Sequence, residues 1–392
     1  MNGMDRKRVP LYTAAIFAAM WMLASVHAAM GAFQTGIIDT YALTSSSKGV
    51  PSGIATAMSM IAFALVIVTV GRIRKAVILM FGTLTSAIGL ALLKFNSPFG
   101  LFLILQAAVG FSTGCVDALA SATVSDLHPG REGAGCMCAL HATYGAAGFA
   151  MPFVIQAVIS GGMTWRSAYL VLAAGELAAC AALYFTSRGR VAQLEIPTEA
   201  DSRFSLKTLK RVFSNRSLRT FDFSMLMIGM YLNCMLVWTP RFMEYGFDSG
   251  LKTVALSGVY LGVALSRVLM AFFRADKKLY LRAALPLAAL SLLLSILTQN
   301  EWAALIGIFL SAFFSGPAIP LILNMAANVM PKDSFIINVS TLFMVMLGET
   351  VCAPIFGKLE TLYGVKNAMV SGALFLVLAW AGNLLLPKGE RG

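Results

Sequence analysis

The chain has 392 residues, 58% of them hydrophobic and 12% charged, with a mean hydropathy of +0.78. That composition excludes a soluble globular domain, which needs about twice that charge density. The formal net charge of +12 comes from 30 basic residues against 18 acidic ones, and the basic residues fall between apolar runs rather than on one folded face. Nucleic acid is therefore not expected as a partner, and the lipid bilayer is.

In chain order, apolar runs of roughly 18 to 28 residues recur, each long enough to cross a ~30 Å hydrocarbon core as a helix. They predict twelve spans, over 11–38, 51–71, 76–94, 99–125, 135–160, 166–186, 218–240, 250–273, 281–298, 302–330, 335–357 and 364–386. Runs such as MPFVIQAVIS do not alternate, which excludes a transmembrane barrel. The first run follows RKR with no small-x-small cleavage site and reads as a retained helix rather than a signal peptide. With the N-terminus in the cytoplasm, 22 basic residues fall on the inside, seven on the outside and one, Arg267, within a span. The positive-inside rule thus places both termini in the cytoplasm, in a multi-pass protein of the cytoplasmic (inner) membrane. The six cysteines all lie within predicted spans and form no CxxC pair, so neither a disulfide nor a metal site is expected.

One offset aligns the two halves of the chain. Moving by 202 sets Pro129 on Pro331, Pro152 on Pro354, Arg72 on Arg274 and Lys75 on Lys277. A duplicated six-helix unit follows, in the parallel-repeat manner of many secondary transporters. The expected domains are 1–186 and 218–392, joined by a cytoplasmic linker over 187–217. Within the linker, FSLKTLKRVF sets Phe204, Leu209 and Phe213 against Lys207, Lys210 and Arg211, the pattern either of a short surface helix or of a flexible basic linker.

The fourth span carries Gln106, Thr113, Asp117, Ser121 and Ser125, spaced to form one polar stripe. Lipid cannot satisfy such a stripe, so it must face a cavity or other helices. Asp117 lies about 16 Å from the cytoplasmic end of its helix, and His141 about 13 Å up the next one, so a direct or bridged contact between them is geometrically open. An acid at that depth is functional by default. His141 also reads as part of a packing face with Gly145, Gly148 and Pro152. Glu349 is a second intramembrane acid and joins Asp117 and His141 as a candidate for proton coupling, and Arg267 is a structural charge able to pair with a carboxylate or to snorkel. Gln34, on one face with His27, joins Gln106, Thr113, Ser121, Tyr144, Asn233, Trp238, Asn324 and Asn328 as candidate contacts for a polar organic solute, although each also suits helix-helix hydrogen bonding. The predicted spans 1, 4, 7 and 10 hold no Lys or Arg between their ends, so the solute should be neutral or carry at most one charge.

With its GCVDALAS, LHATYGAAGFAMP, GVALSR and GPAIP segments, the chain resembles the major facilitator superfamily and, within it, the fucose-galactose-glucose:proton symporter family. The resemblance implies an all-α integral membrane fold of twelve helices in two six-helix bundles. It also implies a coupling carboxylate at Asp117 and a second acid at Asp39, with Ser121 standing where the family has Asn. Asp39 lies about 42 Å along its helix from Leu11, so it reaches the interior only if that helix tilts or breaks near Gly31 or Gly36. The expected function is proton-coupled symport of a small polar organic solute such as a sugar, by alternating access, in a monomer that draws on a proton gradient and needs no cofactor. The rivals are a drug or metabolite:proton exporter, disfavoured because the segment around Met151 and Gln156 departs from Gly-Pro-x-x-Gly-Gly, and a non-transporting membrane sensor. An enzyme is not expected, since HExxH and Gly-x-Ser-x-Gly are both missing.

Overall fold

A computed structural model describes residues 3–44, 47–69, 73–95, 97–128, 131–188, 206–272, 277–330 and 334–385. Among these residues the fold is all-helical. In the first part of the chain α1 runs Gly3–Thr40, α2 Val50–Thr69, α3 Lys75–Leu93, α4 Phe99–Leu127, α5 Arg131–Ser160 and α6 Trp165–Thr186. The short α7 (Leu206–Ser214) follows, then α8 (Arg216–Phe247), α9 (Lys252–Phe272), α10 (Lys277–Leu297), α11 (Glu301–Ser315), α12 (Ala318–Val329), α13 (Ser334–Ala368) and α14 (Val370–Leu384). Ten stretches of this helix are long and apolar enough to cross a membrane, and Val50–Val66 and Val370–Leu384 are shorter apolar helices.

The boundaries that differ from expectation have local causes. The predicted span 302–330 is broken into α11 and α12 at Gly316 and Pro317. Pro320 also lacks the N–H that would bond the Gly316 carbonyl, and Arg267 Nε donates to that carbonyl instead, at 3.0 Å. Arg267 therefore supports a helix break. The predicted gap after 357 is helical, because α13 continues through a bend at Gly364, where φ is +78°. The helix α8 continues past Pro240 to Phe247, so Arg241, assigned to an outer loop from sequence, is inside it. Nor does α1 break at Gly31 or Gly36: it is continuous to Thr40, and Asp39 is exposed in its last turn. In α7 the buried side chain is Val212, while Phe213, Lys210 and Arg211 are exposed; Phe204 lies outside the described residues, as do the side chains of Lys207 and Leu209.

The 202-residue offset recurs in the helix boundaries. The helices α2, α3 and α4 begin at Val50, Lys75 and Phe99, and α9, α10 and α11 begin 202 residues later at Lys252, Lys277 and Glu301. Likewise α4 ends at Leu127 and α12 at Val329. Pro152 and Pro354 both lie inside helices, α5 and α13. Pro129, Pro331, Arg72 and Arg274 fall outside the described residues.

The chain forms two compact units, Met1–Ala29 with Ile54–Phe204, and Met30–Gly53 with Ser205–Gly392. In the first, Tyr12, Ile16, Met20 and Leu23 of α1 bury with Val116, Leu119, Ala120 and Val124 of α4, Leu79 of α3 and Leu183 of α6. Gly110 and Gly114 let α4 meet α2 backbone to backbone, since a Cβ at either would come within about 2.2 Å of the Ala55 or Ser59 carbonyl oxygen. In the second unit α8 and α13 run parallel along a long seam. Its pairs ascend together: Asp222 with Thr341, Cys234 with Cys352, Trp238 with Phe356, Arg241 with Glu360. Gly229 and Gly348 close the same seam against the carbonyls of Val345 and Leu226.

Candidate functional site

In the first unit, the polar stripe on α4 divides by depth. Gln106 is buried and donates to Tyr169 Oη of α6 at 3.0 Å, and Thr113 is buried with its hydroxyl on the Gly110 carbonyl at 2.8 Å. Both are committed to helix packing. Asp117 continues the Gly110 and Gly114 face by helical spacing. It is half-buried and makes no hydrogen bond or ion pair with any described residue. The side chains of Ser121 and Ser125 lie outside the described residues.

No hydrogen bond joins Asp117 to His141, which is exposed on α5. Tyr144, one turn further on, instead shares a 3.0 Å hydrogen bond with His27 Nδ1 of α1, the rings meeting edge to face at 6.2 Å. His27 thus enters the candidate site as the partner of Tyr144. The remaining histidine, His128, bonds Thr13 Oγ1 at 2.8 Å, tying the end of α4 to α1.

The second unit gathers buried polar atoms that have no hydrogen-bond partner among the described residues. Gln34 is 1% exposed, and its Nε2 donates to the Lys48 carbonyl at 3.1 Å while Oε1 has no partner. Asn233 Oδ1 and Trp238 Nε1 on α8 are also buried and unpartnered. The Trp238 ring lies 4.7 Å from that of Phe356, which fixes the direction of its N–H. Buried polar groups are nearly always bonded, so unsatisfied ones mark places where water or a solute belongs. Of the other candidates, Asn324 is exposed on α12, Glu349 is half-buried on α13, and the Asn328 side chain is outside the described residues.

Several functional-looking residues escape the sequence reading. Glu176 of α6 is 2% exposed, with Ser86 Oγ of α3 donating to Oε1 at 3.0 Å and Oε2 unpartnered. Its signal was available, as the one acid in an apolar run, about 16 Å from Trp165. Glu360 is buried between Lys48 Nζ and Arg241 Nε, the latter at 3.1 Å. Glu244 accepts from Thr35 Oγ1 at 2.8 Å and Lys252 Nζ at 2.6 Å. These ion pairs were hidden because the predicted spans stopped at 240 and 357, leaving Arg241, Glu244 and Glu360 in loops. Among the described residues, no three His, Cys, Asp or Glu side chains are grouped as metal ligands.

The family described as Major Facilitator Superfamily matches residues 11–335. The bacterial homolog of the human lysosomal transporter Spinster, in its inward-facing and occupied conformation, has a similar structure, with a TM-score of 0.75 and 13% identity over 98% of this chain and 97% of that one. The E. coli fucose:proton symporter FucP has a TM-score of 0.66 and 16% identity, over 97% of this chain and 98% of that one. No curated protein matches the sequence. At such identities the structural likeness is one of fold.

Proposed function

Because the chain belongs to the Major Facilitator Superfamily, we propose that it is a proton-coupled symporter, moving a small polar organic solute of sugar size by alternating access. The observation that carries this reading is Asp117, an acid within an apolar helix that has no counter-ion or hydrogen-bond donor among the described residues. A lone carboxylate there costs several kcal/mol, and a proton removes that cost. Taking up the proton in one access state and losing it in the other couples the gradient to the solute, provided the two states differ in their affinity for it. FucP, similar in fold, is a fucose:proton symporter.

The solute would be held by the buried polar atoms of Gln34, Asn233 and Trp238, two acceptors and one donor. A polyhydroxylated molecule satisfies both kinds. We place both termini in the cytoplasm and treat 1–186 and 218–392 as the two transporting halves, acting as a monomer. The reading is tested by uptake of labelled sugars, polyols and organic acids into proteoliposomes with an imposed pH gradient. Accumulation that follows the pH gradient and fails in Asp117→Asn supports it; uphill accumulation unchanged in that variant refutes it.

A further inference from the structure

Sequence alone left the presumed solute helices without a buried base, yet α8 carries one. Arg241 is 7% exposed, and its contacts leave a gap of a particular kind. Nε donates to Glu360 Oε1 at 3.1 Å, the Tyr245 ring covers one guanidinium face at 4.3 Å, and Nη1 is buried with no acceptor among the described residues. Glu360 is also claimed by Lys48. Two cations therefore share one anion, and this buried cluster holds one positive charge in excess. Three residues earlier, on the face of α8 that packs along α13, Trp238 presents a second buried N–H without an acceptor.

Guanidinium and indole N–H groups can only donate. Two such donors on one helix face, beside an uncompensated charge, call for an acceptor that is itself negative. A hydroxyl would leave the charge unbalanced, and a dianion would reverse it. A carboxylate accepts from both donors and brings the local charge to zero. We infer that Arg241, supported by Trp238, is the docking site for a single carboxylate on the transported solute, so that the substrate is a monoanionic hydroxy or sugar acid. This rests on the transport reading above and refines it: Gln34 Oε1 and Asn233 Oδ1 remain acceptors for the hydroxyls of the same molecule.

The test uses the full-length protein in proteoliposomes and matched pairs of neutral and acidic solutes: D-glucose with D-glucuronate, D-galactose with D-galacturonate, glycerol with glycerate. For at least one pair the acid is expected to show a KM about tenfold or more below its neutral partner, the effect of a charge-assisted hydrogen bond. Arg241→Gln should erase that preference by raising the acid's KM to that of its neutral partner or beyond. Glu360→Gln, which adds to the positive excess, should keep or strengthen the preference, and gives a readout if Arg241→Gln folds poorly. Saturable uptake of neutral members only, or equal loss of both members in Arg241→Gln, overturns the carboxylate assignment. So does chloride-dependent uptake of a neutral sugar that is lost in Arg241→Gln, which would put an inorganic anion at Arg241. Neutral sugars accumulating through Asp117 without acid uptake leave the symport reading intact and defeat this one; acid uptake indifferent to the pH gradient does the reverse.

Discussion

At Glu176 and Asp117 the same functional group meets two different fates. Glu176 is enclosed between α3 and α6 with one oxygen bonded to Ser86 and the other without a partner. Replacing both members of such a buried polar pair by apolar residues of similar volume is commonly neutral or stabilising. Glu176→Leu combined with Ser86→Ala should therefore keep or raise the melting temperature in detergent and retain uptake; a loss above about 2 kcal/mol would show that the acid is structurally required. Asp117 is half-buried with no bonded neighbour among the described residues, as suits the proton exchange proposed for it. Sequence spacing singled out Asp117 but not the division of its stripe. Helical periodicity places Gln106 and Asp117 on one face, yet says nothing of Tyr169, 63 residues away, which takes the Gln106 amide. The pairing of His27 with Tyr144 was equally hidden, because both lie in apolar runs whose contact depends on how α1 and α5 pack.

Among the helices, backbone contact is set by small residues and by prolines. Gly110 and Gly114 lie against the Ala55 and Ser59 carbonyls, so Gly110→Val or Gly114→Val should cost about 1–3 kcal/mol, visible as a lower melting temperature and folded yield. Unchanged stability in both would mean that α2 and α4 do not meet there. Gly31 stands in a similar relation to the Leu236 carbonyl, the one that Pro240 leaves without its N–H. Arg267→Leu removes the donor to the Gly316 carbonyl at the break between α11 and α12, and should destabilise by about 1–3 kcal/mol. A wild-type melting temperature in Arg267→Leu would count against that role. Helix existence was legible throughout, since apolar runs of membrane length admit little else. Their ends were less so: hydropathy falls at Arg241 and Lys358, but the helices α8 and α13 run on because the charges there are paired through Glu360 or reach the helix surface. Proline was misleading in both directions, stopping α11 near Pro317 and failing to stop α8 at Pro240.

Across the whole molecule, one 202-residue offset relates four helix boundaries, yet the repeat is not chemically symmetric. Position 319, which answers to Asp117, is Ile319, and Leu65 answers to Arg267. The first unit holds Asp117, and the second the ion pairs of Glu244 and Glu360 together with the unpartnered atoms of Gln34, Asn233 and Trp238. We read this asymmetry as a division of labour, with proton exchange in one half and solute recognition in the other. It predicts that Asn233→Ala raises the KM for solute without changing the pH dependence of transport; a shifted pH profile would contradict the division. The most direct test of the account is the steady-state accumulation ratio in proteoliposomes, measured with and without an imposed pH gradient, for wild type and Asp117→Asn at equal folded yield. Proton coupling through Asp117 predicts a ratio well above one in wild type that collapses to one when the gradient is removed, and a ratio of one in Asp117→Asn under either condition. Accumulation by Asp117→Asn equal to wild type under the gradient would contradict it.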